Sequence, residues 1–500
     1  MPRRWHVGGV RARATFPPAL LAALGLLMAG SLLLRTSGLE SGYWIDEGIA
    51  VGIASHDFLD IPRILGQDGN PPLYYLLLHG WMQLFGTGEV ATRALSLSFA
   101  LIAVPVSYWA GTAASAPARR SKTAVGAAGS PFLTYYAQET RMYSLVVLLS
   151  ILASASFALA FVRGKRRHVW LLGLWLSLLL YTHTWGLFLA AAMGIAWLVL
   201  WRRGEVPGRD GALLAGALAL IYAPWVPSIL FQAAHTAAPW AERPSPLELL
   251  GFPGGLFGYV ALPLLIVAVF FAVRRRRTVD RAVLVLAAIA VITVAMAWLC
   301  SQVEPAWATR YLAVVLGPVL LALAAVVSRG ARWTTVALVG VAIVWLLSGP
   351  PQFKSNVRTV STGVAPQVRP GDLVIATQPE QVPALYRYLP EGVIYRTPLG
   401  LVLDPRQTDW RDGLRRLRAG QAERELLPAV AGLDRGRRVL IVTPEPGANP
   451  SQAPWGRAVR VRTREWRAAL AASPRLRRVG GVSTIPLPKN TVTAELYEVR

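Results

Sequence analysis

The chain has 500 residues, of which 54% are hydrophobic and 16% charged, and its mean hydropathy is +0.43. That balance excludes a soluble globular enzyme, and apolar runs repeating at the roughly 20-residue length of a bilayer-crossing helix indicate a polytopic membrane protein. The net charge of +24 is spread as short basic clusters between those runs, which reads as topology and not as nucleic-acid binding; the single cysteine, Cys300, excludes an intramolecular disulfide and a thiolate metal cluster.

Arg3, Arg4, Arg11 and Arg13 precede the first apolar run, 17–34. No convincing small-residue cleavage site follows and many more runs lie beyond, so the run is expected to stay as an uncleaved first helix. The loop 35–93 comes next and holds Tyr43-Trp44-Ile45-Asp46-Glu47, two adjacent carboxylates close to where the first span leaves the bilayer. Charge so near hydrocarbon is costly and marks a candidate functional site. Taken alone, the pair fits a solvated acidic loop equally well. The same loop carries Asn70-Pro71-Pro72-Leu73-Tyr74-Tyr75 and continues to Trp81, an amphipathic stretch too short to cross and predicted to lie in the outer interface.

Further apolar runs follow at about 94–115, 123–138, 142–162, 169–183, 186–201, 211–230, 256–273, 282–301, 310–327 and 331–349. Alternate loops hold the basic clusters Arg119/Arg120/Lys122, Arg163/Lys165/Arg166/Arg167, Arg202/Arg203/Arg209, Arg274–Arg277 with Arg281, and Arg329/Arg332. By the positive-inside rule these loops are cytoplasmic. Two spans depend on this alternation. The sixteen residues of 123–138 reach only about 24 Å as helix, against about 30 Å of hydrocarbon, yet without this crossing every later basic cluster inverts. The block 169–201 must cross twice, with a hairpin at Tyr181-Thr182-His183-Thr184-Trp185-Gly186. Eleven spans result, with the N-terminus cytoplasmic and the C-terminus outside. Of fourteen acidic residues before position 350, all but Glu205, Asp210 and Asp280 then lie outside.

After Gly349-Pro350-Pro351 the composition changes to 24 Lys/Arg and 13 Asp/Glu, with no run long enough to cross. Strand-like stretches at 372–376, 438–442 and 494–499 alternate with helical ones at 410–417 and 466–472, predicting an α/β domain. The expected organisation is a membrane domain, 1–350, followed by an extracytoplasmic domain, 351–500.

Three more clusters share the outer edge with Asp46 and Glu47. Tyr135-Tyr136-Ala137-Gln138-Glu139-Thr140-Arg141-Met142-Tyr143 joins the third and fourth spans, His183 sits at the hairpin tip, and Arg310-Tyr311-Leu312 opens the tenth span. Singly, an arginine at a helix mouth is commonly a snorkelling anchor and a lone histidine commonly structural. The six histidines show no metal-ligand spacing.

In order, Asp46-Glu47, Asn70-Pro71-Pro72-Leu73-Tyr74-Tyr75 with Trp81, Tyr136 to Tyr143, and Arg310-Tyr311-Leu312 resemble the GT-C membrane glycosyltransferases. The closest likeness is to the bacterial dolichyl-phosphate-mannose protein mannosyltransferase-like and aminoarabinose transferase-like group. The likeness covers roughly 17–349, and the third span is shorter than usual for that group. It implies a polyprenyl-phosphate-sugar donor, a glycan, lipid or protein acceptor, and a bacterial plasma membrane location. The catalytic candidates are Asp46 as general base with Glu47 and Glu139; Arg141, Arg310, Tyr143 and His183 are the candidates for the donor phosphate. Glu139 either orients Arg141 or supplies a second acid. The residues present require no metal, although two carboxylates can bind a divalent cation. The alternatives are a lipid or glycan transporter, or a non-catalytic subunit of an envelope assembly; acids at the outer edge and the lack of internal repeats favour the enzyme.

Overall fold

The computed structural model describes residues 17–114, 120–274, 280–328, 330, 332–348, 354–445, 451–483 and 490–500. Up to residue 348 the chain is helical; beyond 354, helices enclose a six-stranded sheet. Among the described residues, Glu89–Gly111, Tyr143–Val162, Gly208–His235, Arg281–Val303 and Thr309–Val327 are long and apolar enough to cross a bilayer. The shorter apolar helices Pro18–Leu34, Arg167–Leu180, Gly186–Arg202 and Arg332–Ser348 stand among them. All of these fall on runs predicted from hydropathy. The protein is a multi-pass membrane protein. A helix apolar all round belongs in the centre of a bundle, and Tyr143–Val162 is 89% buried, whereas Gly208–His235 is only 11% buried and faces outward.

Two predicted spans take a different form. The run at 123–138 is two helices, Arg120–Gly129 and Pro131–Tyr136. Pro131 has no N–H to continue the ladder, and the Ser130 hydroxyl accepts the Leu133 N–H at 3.3 Å to start the second helix. Arg35, fully buried at the end of helix Pro18–Leu34, donates to the freed carbonyls of Ala127 (2.7 Å) and Ala128 (3.1 Å). The run at 256–273 is also shorter than predicted: Leu262–Val273 has only 12 residues, and Pro246–Phe257 precedes it at an angle of 88°. Gly258, at φ +83°, makes that turn. The hairpin at 181–185 is as predicted.

The loop 35–93 contains three helices, Ile45–Ala54, Asp60–Asp68 and Leu73–Phe85. The last was expected from Asn70; it begins at Leu73 because Pro71 and Pro72 suit only its entry. Asp46 and Glu47, read from sequence as loop residues, occupy the first turn of a helix, where carboxylates complement the exposed N–H groups.

The sheet has strands β1 (Leu373–Ala376), β2 (Ile394–Thr397), β3 (Gly400–Leu401), β4 (Arg438–Pro444), β5 (Leu476–Val482) and β6 (Val492–Val499), in the order β3-β2-β1-β4-β6-β5. β1 runs parallel to β2 and β4, and the other pairings are antiparallel. Helices Val357–Val364 and Val382–Tyr388 cover one face; the turns of 422–431 and helix Pro454–Ala472 cover the other. β1, β4 and β6 were legible in the sequence. β5, Leu-Arg-Arg-Val-Gly-Gly-Val, is a largely exposed edge without apolar alternation and was not.

This region rests directly on helix Ile45–Ala54. Gly48 and Gly52, one turn apart, let the backbones meet: a Cβ at Gly48 would lie 2.8 Å from the Ala384 nitrogen, and one at Gly52 would collide with the Arg406 carbonyl. His56 Nε2 lies 2.6 Å from Asp404 Oδ2, and the Tyr388 hydroxyl bridges the Tyr43 N–H and Glu89, both at 2.8 Å.

Candidate functional site

The acidic candidates do not form one cluster; each is assigned a different partner. Glu47 is fully buried, and both its oxygens are taken. Arg93 Nε donates to Oε1 at 2.7 Å and Nη2 to Oε2 at 2.6 Å, while the Thr140 N–H donates to Oε1 at 2.8 Å and the Trp44 N–H to Oε2 at 3.4 Å. Arg93 also donates to the carbonyls of Leu39 (2.8 Å) and Ser41 (2.5 Å), so the pair fastens the start of the 35–93 loop to the helix at Glu89–Ala114. Such a carboxylate is held in place and not offered to a substrate.

Glu139 is 1% exposed, and its partner is Lys354, 3.2 Å away; it does not contact Arg141. Lys354 enters from the start of the C-terminal region, donates to the Gln138 carbonyl at 3.3 Å and lies 4.3 Å from the centroid of the Tyr135 ring. Burial pushes the Glu139 carboxyl above its ordinary range, against the pull of Lys354. Of the two roles expected for Glu139, orienting Arg141 is not met; the carboxyl instead links the two halves of the chain.

Asp46 is left with the arginines. Its Oδ2 lies 4.0 Å from Arg310 Nε, and its backbone carbonyl accepts from Arg141 Nη1 at 3.3 Å. Arg141 also donates to the Tyr75 hydroxyl at 3.2 Å, and the Tyr74 hydroxyl meets Ser96, which in turn donates to the Arg141 carbonyl. The Asn70–Tyr75 motif thus holds Arg141 from both its guanidinium and its backbone. Among the described residues no carboxylate lies within ion-pair distance of Arg141, and the Nε atoms of Arg141 and Arg310 are buried without a hydrogen-bond acceptor. Arg310 sits over Trp240 (4.9 Å) and Tyr311 (5.3 Å). Two guanidiniums beside one carboxylate leave a positive surplus suited to a phosphate.

Tyr143 and His183 complete the wall with Tyr311: His183 is 4.8 Å from Tyr311 and 6.0 Å from Tyr143, ring to ring. Burial, then the charges of Arg141 and Arg310, push the His183 imidazole down to about 3. Its Nδ1 accepts the Trp185 N–H at 3.1 Å, so the neutral ring carries its proton on Nε2. His183 is a hydrogen-bond donor there, not a cation.

Arg93, Lys354 and Asp68 escaped the sequence reading. Asp68 closes helix Asp60–Asp68 just before the Asn70-Pro71-Pro72 motif, and that adjacency was the available signal. Burial raises its carboxyl to about 6; the nearby charges acting on it include Arg141 and Asp46. Among the described residues no three His, Cys, Asp or Glu side chains converge to hold a metal ion.

No protein-family model and no characterised protein matches the chain by sequence. Its structure is similar to that of ArnT from Cupriavidus metallidurans bound to undecaprenyl phosphate, with a TM-score of 0.61 over 96% of this chain and 98% of that one, at 12% identity. AglB, the oligosaccharyltransferase from Archaeoglobus fulgidus, aligns at 0.54 over 85% and 69%, at 12% identity. The arabinofuranosyltransferase AftD from Mycobacteria aligns at 0.52 over 96% and 40%, at 14% identity. The chain shares the fold of these three membrane-embedded transferases. At these identities the likeness is one of fold.

Proposed function

We propose that the protein is an inverting glycosyltransferase of the bacterial inner membrane that moves a mannose- or arabinose-like sugar from a polyprenyl phosphate to an envelope acceptor hydroxyl outside the cytoplasm. The observation that carries this reading is the charge sorting: Arg93 occupies Glu47 and Lys354 occupies Glu139, so Asp46 is the carboxylate left beside two arginines. Asp46 takes the proton of the acceptor hydroxyl as its oxygen attacks the anomeric carbon. The carbon–oxygen bond to phosphate breaks, and its electron pair leaves on the polyprenyl phosphate. Arg141 and Arg310 neutralise the charge that develops there, with Tyr143 and the Nε2–H of neutral His183 as further donors. Displacement in one step inverts the anomeric centre.

Residues 1–350 form the membrane catalytic domain in this reading, with eleven crossings, and 351–500 an extracytoplasmic α/β domain. The lipid phosphate held by ArnT in its complex supports a donor of the same class. The test supplies purified protein with radiolabelled polyprenyl-phosphate mannose or arabinose and a cell-envelope extract. Label should move to an acceptor, and no movement from either donor overturns the reading. A reporter active only in the cytoplasm, fused after Arg500, should stay silent.

A further inference from the structure

A second recess lies where the external helices meet the C-terminal sheet region, with a volume of about 250 Å³. Gln67 and Asp68 contribute from the helix that ends before the Asn70 motif; Thr397, Thr408, Trp410 and Arg416 contribute from the other side. It lies beside the Asp46 centre, since Asp68 is a wall of the recess and feels the charges of both Asp46 and Arg141.

Two of its walls contain oxygens that the protein does not satisfy. Asp68 uses Oδ2 to accept from Asn70 at 3.2 Å, but Oδ1 is buried without a partner. Thr408 is 7% exposed, and its hydroxyl is buried without a partner. Unpaired buried polar atoms cost stability, and a site with such atoms is paired only when a ligand fills it. Trp410 adds an aromatic surface, held at 4.9 Å centroid distance by Trp455.

The charges in the walls decide between acceptor types. Asp409 is paired with Arg411 and Arg416, both at 2.8 Å, and Asp404 with His56 at 2.6 Å. Asp68 alone lacks a cationic partner within ion-pair distance among the described residues. In the lining, the carboxylates of Asp68, Asp404 and Asp409 outnumber the guanidiniums of Arg411 and Arg416, so an anionic acceptor group would meet a net negative wall. The volume is just below the roughly 300 Å³ at which drug-sized pockets begin, which suits one ring.

We infer that this recess is the acceptor subsite and that it binds a neutral, hydroxyl-rich sugar unit, making the acceptor a glycan. The inference rests on the glycosyltransferase reading for the word acceptor; sugar binding itself does not depend on it. A sugar hydroxyl donates to Asp68 Oδ1, another pairs with Thr408, and a ring face lies against Trp410. A site built to hydrogen-bond hydroxyls discriminates strongly against ligands that lack them.

The test is saturation-transfer NMR on the full-length protein in nanodiscs, without donor. The probes are methyl mannopyranoside, methyl arabinofuranoside, glucose 1-phosphate and an acetylated threonine peptide. At least one neutral glycoside should bind, and the phosphate and the peptide should not. Thr408→Val and Trp410→Ala should each weaken that binding by about tenfold or more, whereas Thr408→Ser should keep it. Thr408→Val should also raise the melting temperature of the unliganded protein, since it removes an unpaired hydroxyl without changing shape. This readout separates a lost contact from a lost fold. Absence of glycoside binding, preference for the peptide or the phosphate, or glycoside binding indifferent to Thr408→Val overturns the inference. Sugar transfer to a peptide without glycoside binding would overturn it while leaving the glycosyltransferase reading intact. Glycoside binding with no transfer from any polyprenyl donor would do the reverse.

Discussion

Glu47 and Arg93 form a fully buried, two-pronged ion pair, with Nε–Oε1 at 2.7 Å and Nη2–Oε2 at 2.6 Å. Breaking such a pair leaves a charge without compensation, at a cost of about 3–5 kcal/mol. Glu47→Gln should therefore reduce the yield of folded protein, as read by size-exclusion chromatography and melting temperature. An apolar double replacement should not rescue it, because Arg93 also holds the Leu39 and Ser41 carbonyls.

Asp46→Asn should do the opposite. It preserves shape and removes the base, so yield and melting temperature hold while transfer falls by about 10²–10⁴. Near-normal turnover in this variant would falsify the assignment of Asp46.

Arg141→Ala and Arg310→Ala should weaken use of the donor more than use of the acceptor, because their proposed partner is the lipid phosphate. Lysine at either position should rescue only in part, since a point charge lacks the planar fork. Initial rates over a donor titration give the split. An unchanged apparent KM for the donor, with lower protein yield, would mark these arginines as anchors only.

Lys354→Met strands Glu139 in a buried place. Destabilisation of about 3–5 kcal/mol is expected. Adding Glu139→Gln should recover most of it, because the pair is then removed together. Thermal unfolding of the two single variants and the double variant closes the cycle. Strict additivity would mean that the two side chains do not interact.

His183 gives a pH dependence whose sign is fixed. Its folded pKa of about 3 lies below the ordinary value of about 6.5, so between those limits the unfolded chain binds the extra proton. Its contribution is flat above pH 7 and falls as the pH drops through 6.5, by about 2 kcal/mol at pH 5. His183→Gln should remove that slope from a plot of melting temperature against pH. Identical slopes in both proteins would show that His183 is solvated and charged.

The apolar helices at 17–34, 142–162 and 282–301 were plain in the sequence because burial in lipid demands one property, apolarity, repeated over many residues. The break at Ser130-Pro131 was signalled only by composition; Arg35, 92 residues before Ala127, completes it by taking that carbonyl. The residue types of the site were legible for a similar reason: charge beside hydrocarbon is expensive, so Asp46, Arg141 and Arg310 stand out wherever they lie. Their roles were not legible. Asp46 and Glu47 are neighbours in sequence, but successive positions on a helix point about 100° apart, so one reaches Arg310 and the other Arg93. Lys354 follows the apolar helix Arg332–Ser348 and pairs with Glu139, a contact across 215 positions that no local pattern encodes. The sequence by itself determined which segments form apolar helices and which charged residues needed an explanation, because both depend on local apolarity. Only the tertiary structure decided which charges neutralise one another, because ion pairing depends on distance in space and not along the chain.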